Sequence, residues 1–417
     1  MRRNNKRDAP GTSTGGGARL VLFSGKGGVG KTTVAAATAV GAARAGQRTL
    51  VASLDRAHNL AAVLGVAPSS SPQPVPGCPG LACIEIDPQA ELASQWQLVR
   101  STVGRLLAWL GASVADADAM AVFPGIEELI VLARLASLAE SADHDVIIVD
   151  LAPTASSLRY LSFPDLMAGL FGKLAHLERT FARVLRPLVN KQKVPLPEDG
   201  FYAALDDVAA VLARLRDRLV DPARCVARLV AIPERIVVDE TAAAMSALSL
   251  FGITVDTVIM NRVLPDAMSA GPWSAWRAVQ ERELERARTM LPGLVWRELP
   301  FQPGEPLGVD ALAAAGRSLY DDSDPSLPAR TAPALSFSAR GDDGSGELRL
   351  ALAGVRPGDV DVASSADGVV ITVGAWRRTV ALPAHLAHTT PTRAVVAADG
   401  ALHITLAPRE PARRSSS

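Results

Sequence analysis

A glycine-rich segment, SGKGGVGKTT at residues 24–33, constrains the fold of this chain more than any other part of the sequence. It lies between a short apolar run at residues 19–23 and an alanine-rich run at residues 34–45, which predict a strand and a helix. The segment fits G-x-x-x-x-G-K-[ST], in which backbone N–H groups and a helix N-terminus surround phosphate oxygens. We therefore predict a strand, a loop and a helix that together bind a nucleoside triphosphate.

The two lysines of this loop have different predicted roles. Lys31 neutralises the β- and γ-phosphates, and the hydroxyl of Thr32 holds Mg²⁺. Lys26 lies too early in the loop to duplicate Lys31, but it can reach the phosphates of a facing copy, as an arginine finger does in trans. We therefore expect a face-to-face homodimer in the nucleotide-bound state. The predicted loop contacts are Gly25, Lys26, Gly27, Gly28, Val29, Gly30, Lys31, Thr32 and Thr33.

Two aspartates follow predicted strands further along the chain. Residues 49–54 lead to Asp55, and residues 146–149 lead to Asp150. Open parallel sheets bind their ligands at the carboxyl ends of the strands. Both carboxylates are therefore predicted to lie near the phosphate loop.

Together with FPGIEE at residues 123–128, these motifs resemble those of the ArsA-like ATPases, which include arsenite-pump ATPases and targeting factors for tail-anchored membrane proteins. The resemblance covers residues 19–320 and implies hydrolysis of ATP to ADP and phosphate. It implies that Lys26 acts between monomers, that Asp55 orients the attacking water and that Asp150 is the carboxylate on the Mg²⁺ side.

The resemblance also implies three sets of site residues. The implied catalytic residues are Lys26, Lys31 and Asp55. The implied Mg²⁺ residues are Thr32, Asp55 and Asp150, and the two aspartates would act through water. The implied adenine contacts are Asn261, Pro300 and Phe301.

The sequence departs from the family pattern in three places. Arg56 replaces a proline in the first switch, and Ala155-Ser156 replaces Gly-His in the second. Alanine resists positive φ, so we expect the second switch to move through different backbone states. Residues 262–273 contain no cysteine where the targeting factors carry a zinc-binding Cys-x-x-Cys, and we therefore expect no zinc.

Composition and charge narrow the functional class. The chain has 417 residues, 48% of them apolar, and its formal net charge is zero, which argues against a broad nucleic-acid surface. It contains neither an apolar run of about 18 residues nor a signal peptide, so we expect a cytoplasmic protein without a transmembrane segment. The three cysteines, Cys78, Cys83 and Cys225, are scattered, and we weigh ordinary buried or loop cysteines above a metalloid site.

The order of predicted elements indicates two domains. Alternating strands and helices predict an α/β fold of the P-loop NTPase type, a mostly parallel doubly wound sheet over residues 18–320 with helical inserts at about 88–122 and 165–225. Two-residue alternation over residues 347–408 predicts a small all-β sandwich, which resembles the α-crystallin or small-heat-shock domain. Residues 321–346 are predicted to be a linker, and residues 1–17 and 409–417 to be disordered tails.

The sequence of the helical inserts does not decide which process ATP hydrolysis would drive. Apolar stripes at residues 166–188 and 205–219 lie where the targeting factors hold a client's transmembrane helix, although such a stripe is more often part of a core. The first candidate is therefore an ATP-driven switch that shields or targets a hydrophobic client helix or engages a membrane-protein partner. The alternatives are the energising subunit of an arsenite or other anion pump and a positioning ATPase of the MinD/ParA type.

Overall fold

The structure, a computed structural model, describes residues 17–55, 59–91, 126–152, 199–321, 323–329, 332–340, 344–397 and 399–409. Parts of both switches, at residues 56–58 and 153–159, lie outside these ranges. Most of the two inserts, residues 92–122 and 165–198, also lies outside the described residues, as do residues 123–125 of the FPGIEE motif.

An eight-stranded sheet forms the centre of the first domain, in the order β3-β4-β2-β5-β1-β6-β7-β8. All neighbouring strands run parallel except the short β3, which pairs antiparallel with β4. This confirms the predicted mostly parallel sheet. The strands are β1 (Arg19–Ser24), β2 (Thr49–Ser53), β3 (Gln73–Pro74), β4 (Leu81–Glu85), β5 (Val146–Asp150), β6 (Cys225–Ala231), β7 (Val255–Val263) and β8 (Val295–Pro300).

Helices connect and cover these strands. Helix α1 is rich in alanine, so it packs closely in the interior and buries residues along most of its length. Within the described part of the chain, none of the helices has the length and apolar content that crossing a bilayer requires. The helices are α1 (Lys31–Arg44), α2 (Leu60–Leu64), α3 (Ile126–Glu140), α4 (Asp199–Val220), α5 (Arg235–Leu250), α6 (Ser274–Met290) and α7 (Gly308–Tyr320).

The register of the three central strands aligns their carboxyl ends. Asp150 at the end of β5 pairs with Phe23 of β1 on one side and with Ser53 of β2 on the other. The phosphate loop follows β1 directly, and Asp55 lies two residues beyond Ser53. Strand pairing therefore brings the loop and both aspartates to one edge of the sheet, where parallel sheets bind ligands.

The described end of the second predicted apolar stripe is part of the core. Leu212, Leu215 and Leu219 of α4 are each 2% exposed and belong to the same apolar cluster as the central sheet. Their spacing of three and four residues places them on one face of the helix. These three leucines are therefore committed to packing within the chain.

The C-terminal residues form two antiparallel sheets, in the orders β14-β15-β10-β9 and β11-β12-β13. Alternate residues such as Leu348, Leu350, Ile371 and Ile404 are buried between them, which confirms the predicted all-β domain. The strands are β9 (Leu335–Ala339), β10 (Gly346–Ala351), β11 (Val360–Ser365), β12 (Gly368–Val373), β13 (Trp376–Val380), β14 (Thr389–Val396) and β15 (Ala401–Pro408).

Strand β9 lies inside residues 321–346, where the sequence predicts a linker. It pairs with β10 from Leu335 opposite Leu350 to Ala339 opposite Gly346. Its alternation is short, and only Leu335 and Phe337 pack against the apolar cluster, so the local pattern is weak. The structure corrects the linker prediction at these residues.

The first part of the same segment is bound to the α/β domain. Arg228 of β6, which is 2% exposed, donates to the carbonyl oxygens of Pro325 at 2.7 Å and Leu327 at 3.0 Å. The carboxylate of Asp256, on the neighbouring strand β7, accepts the N–H of Ala329 at 2.8 Å. Buried charged side chains therefore tie this segment to the central sheet.

The β-domain packs on the C-terminal half of α5. The hydroxyl of Ser246 bonds to the N–H of Ala353 at 2.9 Å and to its C=O at 3.1 Å. Leu250 is fully buried among the residues of the β-domain core, and its C=O accepts a hydrogen bond from the guanidinium of Arg378. Helix α5 is thus shared between the two domains.

Candidate functional site

The phosphate loop turns at glycines that no other residue can replace without strain. Gly30 has a φ of 90°, and a Cβ built there would lie 2.3 Å from Nδ2 of Asn261. A Cβ on Gly25, at a φ of 156°, would lie 2.2 Å from the C=O of Val230 at the end of β6. Both positions therefore need a residue without a side chain, because the loop lies directly against the ends of neighbouring strands.

Lys31, the first residue of α1, is 5% exposed and lies among the residues of the loop. Its Nζ donates to the C=O of Lys26 at 3.1 Å. Burial lowers the pKa of Lys31, and the charges of Asp150 and Asp55 oppose that shift. The ammonium group thus lies inside the loop with two carboxylates near it, as a phosphate-binding lysine requires.

Thr32 and Asp150 form a buried pair beside Lys31. The hydroxyl of Thr32 donates to Oδ2 of Asp150 at 2.7 Å, and Asp150 is 1% exposed. The other oxygen, Oδ1, is buried and has no hydrogen-bond partner among the residues that the structure describes. Burial raises the pKa of Asp150 to about 7, against the opposing effects of Thr32 and Lys31.

This pair fits the Mg²⁺ ion that a phosphate loop implies. A hydroxyl and a carboxylate are oxygen ligands of the kind that Mg²⁺ prefers, and the second carboxylate oxygen is buried and accepts no hydrogen bond from the described part of the chain. Within the described ranges no cluster of three or more His, Cys, Asp or Glu side chains is placed to hold a metal. A nucleotide-associated Mg²⁺ needs no such cluster, because water and phosphate oxygens supply most of its ligands.

Asp55 is half-buried, and its N–H donates to the hydroxyl of Ser53 at 3.2 Å. Its charge raises the pKa of both Lys31 and Asp150, so it lies within electrostatic reach of the two. The structure therefore brings together the three groups that sequence reasoning assigned to phosphate binding, Mg²⁺ binding and orientation of water.

The side chain of Lys26 is partly exposed and pairs with a carboxylate on α5. Its Nζ lies 2.6 Å from Oε1 of Glu240 on α5, and both side chains are partly exposed, by 37% and 45%. Sequence reasoning missed Glu240, because nothing in the amphipathic pattern of α5 distinguishes this carboxylate from other surface charges.

Of the proposed adenine contacts, Asn261 lies at the loop and Phe301 lies further along the same edge. Nδ2 of Asn261 donates to the C=O of Val29 at 2.8 Å, which ties the end of β7 to the loop. Phe301 follows β8 and is 48% exposed, and its N–H donates to the C=O of Val263. An exposed aromatic ring at the end of β8, three strands from β1, is chemically suited to stack on a base.

Sequence reasoning also missed a buried carboxylate beside the first switch. Glu85 ends β4, is 5% exposed and accepts the N–H of Ala61 at 3.0 Å, so it holds the start of α2 just beyond the switch. Its position at the carboxyl end of a parallel strand, like that of Asp150, is the signal that could have identified it.

The match to known proteins agrees with this geometry. Residues 18–321 match the anion-transporting ATPase family of the ArsA type, and residues 343–406 match the HSP20-like domain found in ArsA. The chain belongs to the ArsA ATPase family. This confirms the resemblance drawn from the loop and switch motifs.

Relatives of this ArsA-family chain cover both domains or the first alone. A protein of Prosthecochloris vibrioformis named as a putative arsenical pump-driving ATPase is 32% identical over 93% of this chain and 95% of its own length. One of that name from Aquifex aeolicus is 31% identical over 91% and 98%. The ATPase get3 of Schizosaccharomyces pombe is 26% identical over 72% of this chain and 91% of its own length.

Proposed function

We propose that this chain is a cytoplasmic Mg²⁺-dependent ATPase that works as a dimeric switch, hydrolysing ATP to ADP and phosphate. The observation that carries the proposal is the arrangement of buried Lys31 and Asp150 around the half-buried Thr32, at the ends of β1 and β5. These groups place one cation, one hydroxyl and one carboxylate where a triphosphate enters the glycine loop. Membership of an ATPase family supports the same conclusion.

Hydrolysis in this proposal depends on positioning and charge rather than on covalent chemistry. Lys31 binds the β- and γ-phosphates, and the loop N–H groups orient them. Asp55, which lies within electrostatic reach of Lys31, orients the attacking water. Thr32 and Asp150 would hold Mg²⁺, which when bound neutralises charge on the phosphate oxygens. Lys26 supplies the last positive charge to the nucleotide of the partner subunit.

Two variants test the different roles proposed for Lys31 and Lys26. Lys31→Ala should lose ATP binding, measured by calorimetry, because no other ammonium reaches the phosphates within the same loop. Lys26→Ala should keep ATP binding but lose ATP-dependent dimerisation, measured by analytical ultracentrifugation. An ATPase rate per chain that does not depend on the concentration of the native protein would contradict the role of Lys26.

We propose further that ATP turnover is coupled to shielding or targeting of hydrophobic client segments. Three leucines of the second stripe are buried in the core, which removes that part of α4 from a client surface. The client proposal therefore rests on the stripe at residues 166–188, which lies outside the described residues. Capture of a purified apolar helix that differs between the ATP and ADP states would support it.

The energising subunit of an arsenite pump is the second candidate, because relatives that match more than nine-tenths of this chain are named as putative arsenical pump-driving ATPases. Against it, all three cysteines are buried, and burial raises the pKa of the Cys78 and Cys83 thiols, which disfavours the thiolates that arsenite binds. Stimulation of ATPase activity by arsenite without helix capture would favour this candidate over the first.

A further inference from the structure

The ion pair between Lys26 and Glu240 joins the phosphate loop to α5. Their side chains meet at 2.6 Å, although the residues are 214 positions apart in the chain. Gly25 and Gly27 flank Lys26, and both charged side chains are partly exposed. A surface pair of this kind is weak enough to open without disturbing the fold.

Helix α5 is held in place on both sides of Glu240. Asp239, the preceding residue, pairs with Arg286 of α6 at 2.5 Å. Towards the other end, Ser246 bonds to Ala353 and Leu250 bonds to Arg378 of the β-domain. The backbone at Glu240 is therefore held by its neighbours, and the partly exposed side chain of Lys26, with its flexible four-carbon stem, is the longer member of the pair.

We propose that Glu240 is a positioning residue for Lys26, which holds the ammonium group on its own subunit until a second copy of this chain presents a bound nucleotide. This inference rests on the proposed cross-subunit role of Lys26. While the ammonium group of Lys26 is paired with Glu240, it cannot contact the partner's phosphates. When it moves to the partner's nucleotide, it exchanges its contact with the Glu240 carboxylate for contacts with phosphate oxygens. In a two-fold dimer both subunits make this exchange, so the free energy of dimerisation includes the cost of opening the ion pair twice.

The first test measures dimerisation. Glu240→Gln removes the charge and keeps the shape, and it should tighten dimerisation in a nonhydrolysable ATP analogue by about two- to twenty-five-fold, since each of the two exposed pairs is worth up to about fivefold. Asp239→Asn is the matched control, because it removes the neighbouring charge while its amide oxygen can still accept the hydrogen bond from Arg286 that holds α5, and it should leave dimerisation unchanged. An unchanged or weaker dimer in Glu240→Gln would overturn the proposal.

A second measurement separates this inference from the proposed function. Labelling of Lys26 by an amine-reactive reagent, followed by peptide mass spectrometry on the nucleotide-free chain, should be faster in Glu240→Gln and unchanged in Asp239→Asn. Unchanged labelling in Glu240→Gln would overturn the proposal whatever the oligomeric state. If Lys26→Ala dimerises like the native chain, the proposed cross-subunit role of Lys26 is wrong. If Lys26→Ala loses dimerisation but Glu240→Gln has no effect, only the proposed positioning role of Glu240 is wrong.

Discussion

At the scale of single residues, the site contains a buried ionisable group and a backbone turn that residues with side chains rarely adopt. Asp150 is a carboxylate in an almost fully buried position, with one oxygen bonded to Thr32 and the other without a partner within the described ranges. Gly30 turns the chain where Asn261 leaves no space for a side chain. Burial of an ionisable group such as Asp150 costs stability, which fits the proposed role of this carboxylate in binding rather than in folding.

The raised pKa of Asp150 makes stability depend on pH. With a pKa of about 7 in the folded chain and 3.8 as its ordinary value, the folded state binds more protons than the unfolded state between these values. The free energy of unfolding should therefore fall as the pH rises from about 4 to about 7 and level off above it. In Asp150→Asn this contribution should disappear. Urea unfolding of both chains from pH 5 to 8, without nucleotide or Mg²⁺, measures the difference, and parallel curves would contradict it.

Substitution of the loop glycines should separate strain from steric overlap. Gly30→Ala combines a positive φ with a Cβ at 2.3 Å from Asn261, and it should destabilise the chain by about 1–3 kcal/mol or more and abolish ATP binding. Gly28→Ala is the control, because its φ of 83° is equally unfavourable but no heavy atom of the described residues lies within 4 Å of the added Cβ. Denaturant unfolding and calorimetric titration check both; equal losses in the two variants would contradict the argument.

At the scale of elements, helix α4 shows why an apolar stripe does not identify a binding surface. The same spacing predicts a client groove and a helix packed on its own sheet, and the structure places Leu212, Leu215 and Leu219 in the core. A periodic pattern indicates that one face of a helix is apolar, but the surface against which that face packs depends on residues far away in the chain.

Leu215→Ala tests this assignment by stability. Removal of a side chain that is 2% exposed should cost about 2–5 kcal/mol in the free energy of unfolding, because a cavity remains in the core. Asp217→Ala, at an exposed position on the same helix, should change stability by less than about 0.5 kcal/mol. Chemical denaturation measures both; a Leu215→Ala chain of native stability would place this residue on a free surface instead.

At the scale of the whole molecule, the two domains are joined through α5 and through residues 323–329. Ser246 and Arg378 bond across the first contact, and Arg228 bonds to the carbonyl oxygens of the second. These polar groups are buried, so separating the domains would leave them without partners. The helix that carries Glu240 is therefore anchored by the β-domain.

Ser246→Ala should weaken this contact. The variant leaves the N–H and C=O of Ala353 without their shared partner, and we expect a loss of about 1–3 kcal/mol for each group that becomes unsatisfied. Differential scanning calorimetry should show a lower melting temperature, whereas Ser338→Ala on the exposed strand β9 should melt like the native chain. Identical melting of Ser246→Ala and the native chain would show that the contact contributes nothing.

Local sequence patterns determined the phosphate loop, the alternation of strands and helices, the all-β C-terminal domain and the family. These features depend on residues close together in the chain, whose backbone hydrogen bonding repeats with a fixed period. Only the tertiary structure decided that Glu240 meets Lys26, that the leucines at 212, 215 and 219 are core, that residues 335–339 extend the second sheet, and that α5 is shared by both domains. Those contacts join distant segments, and strand register and side-chain packing select them, neither of which a local period encodes.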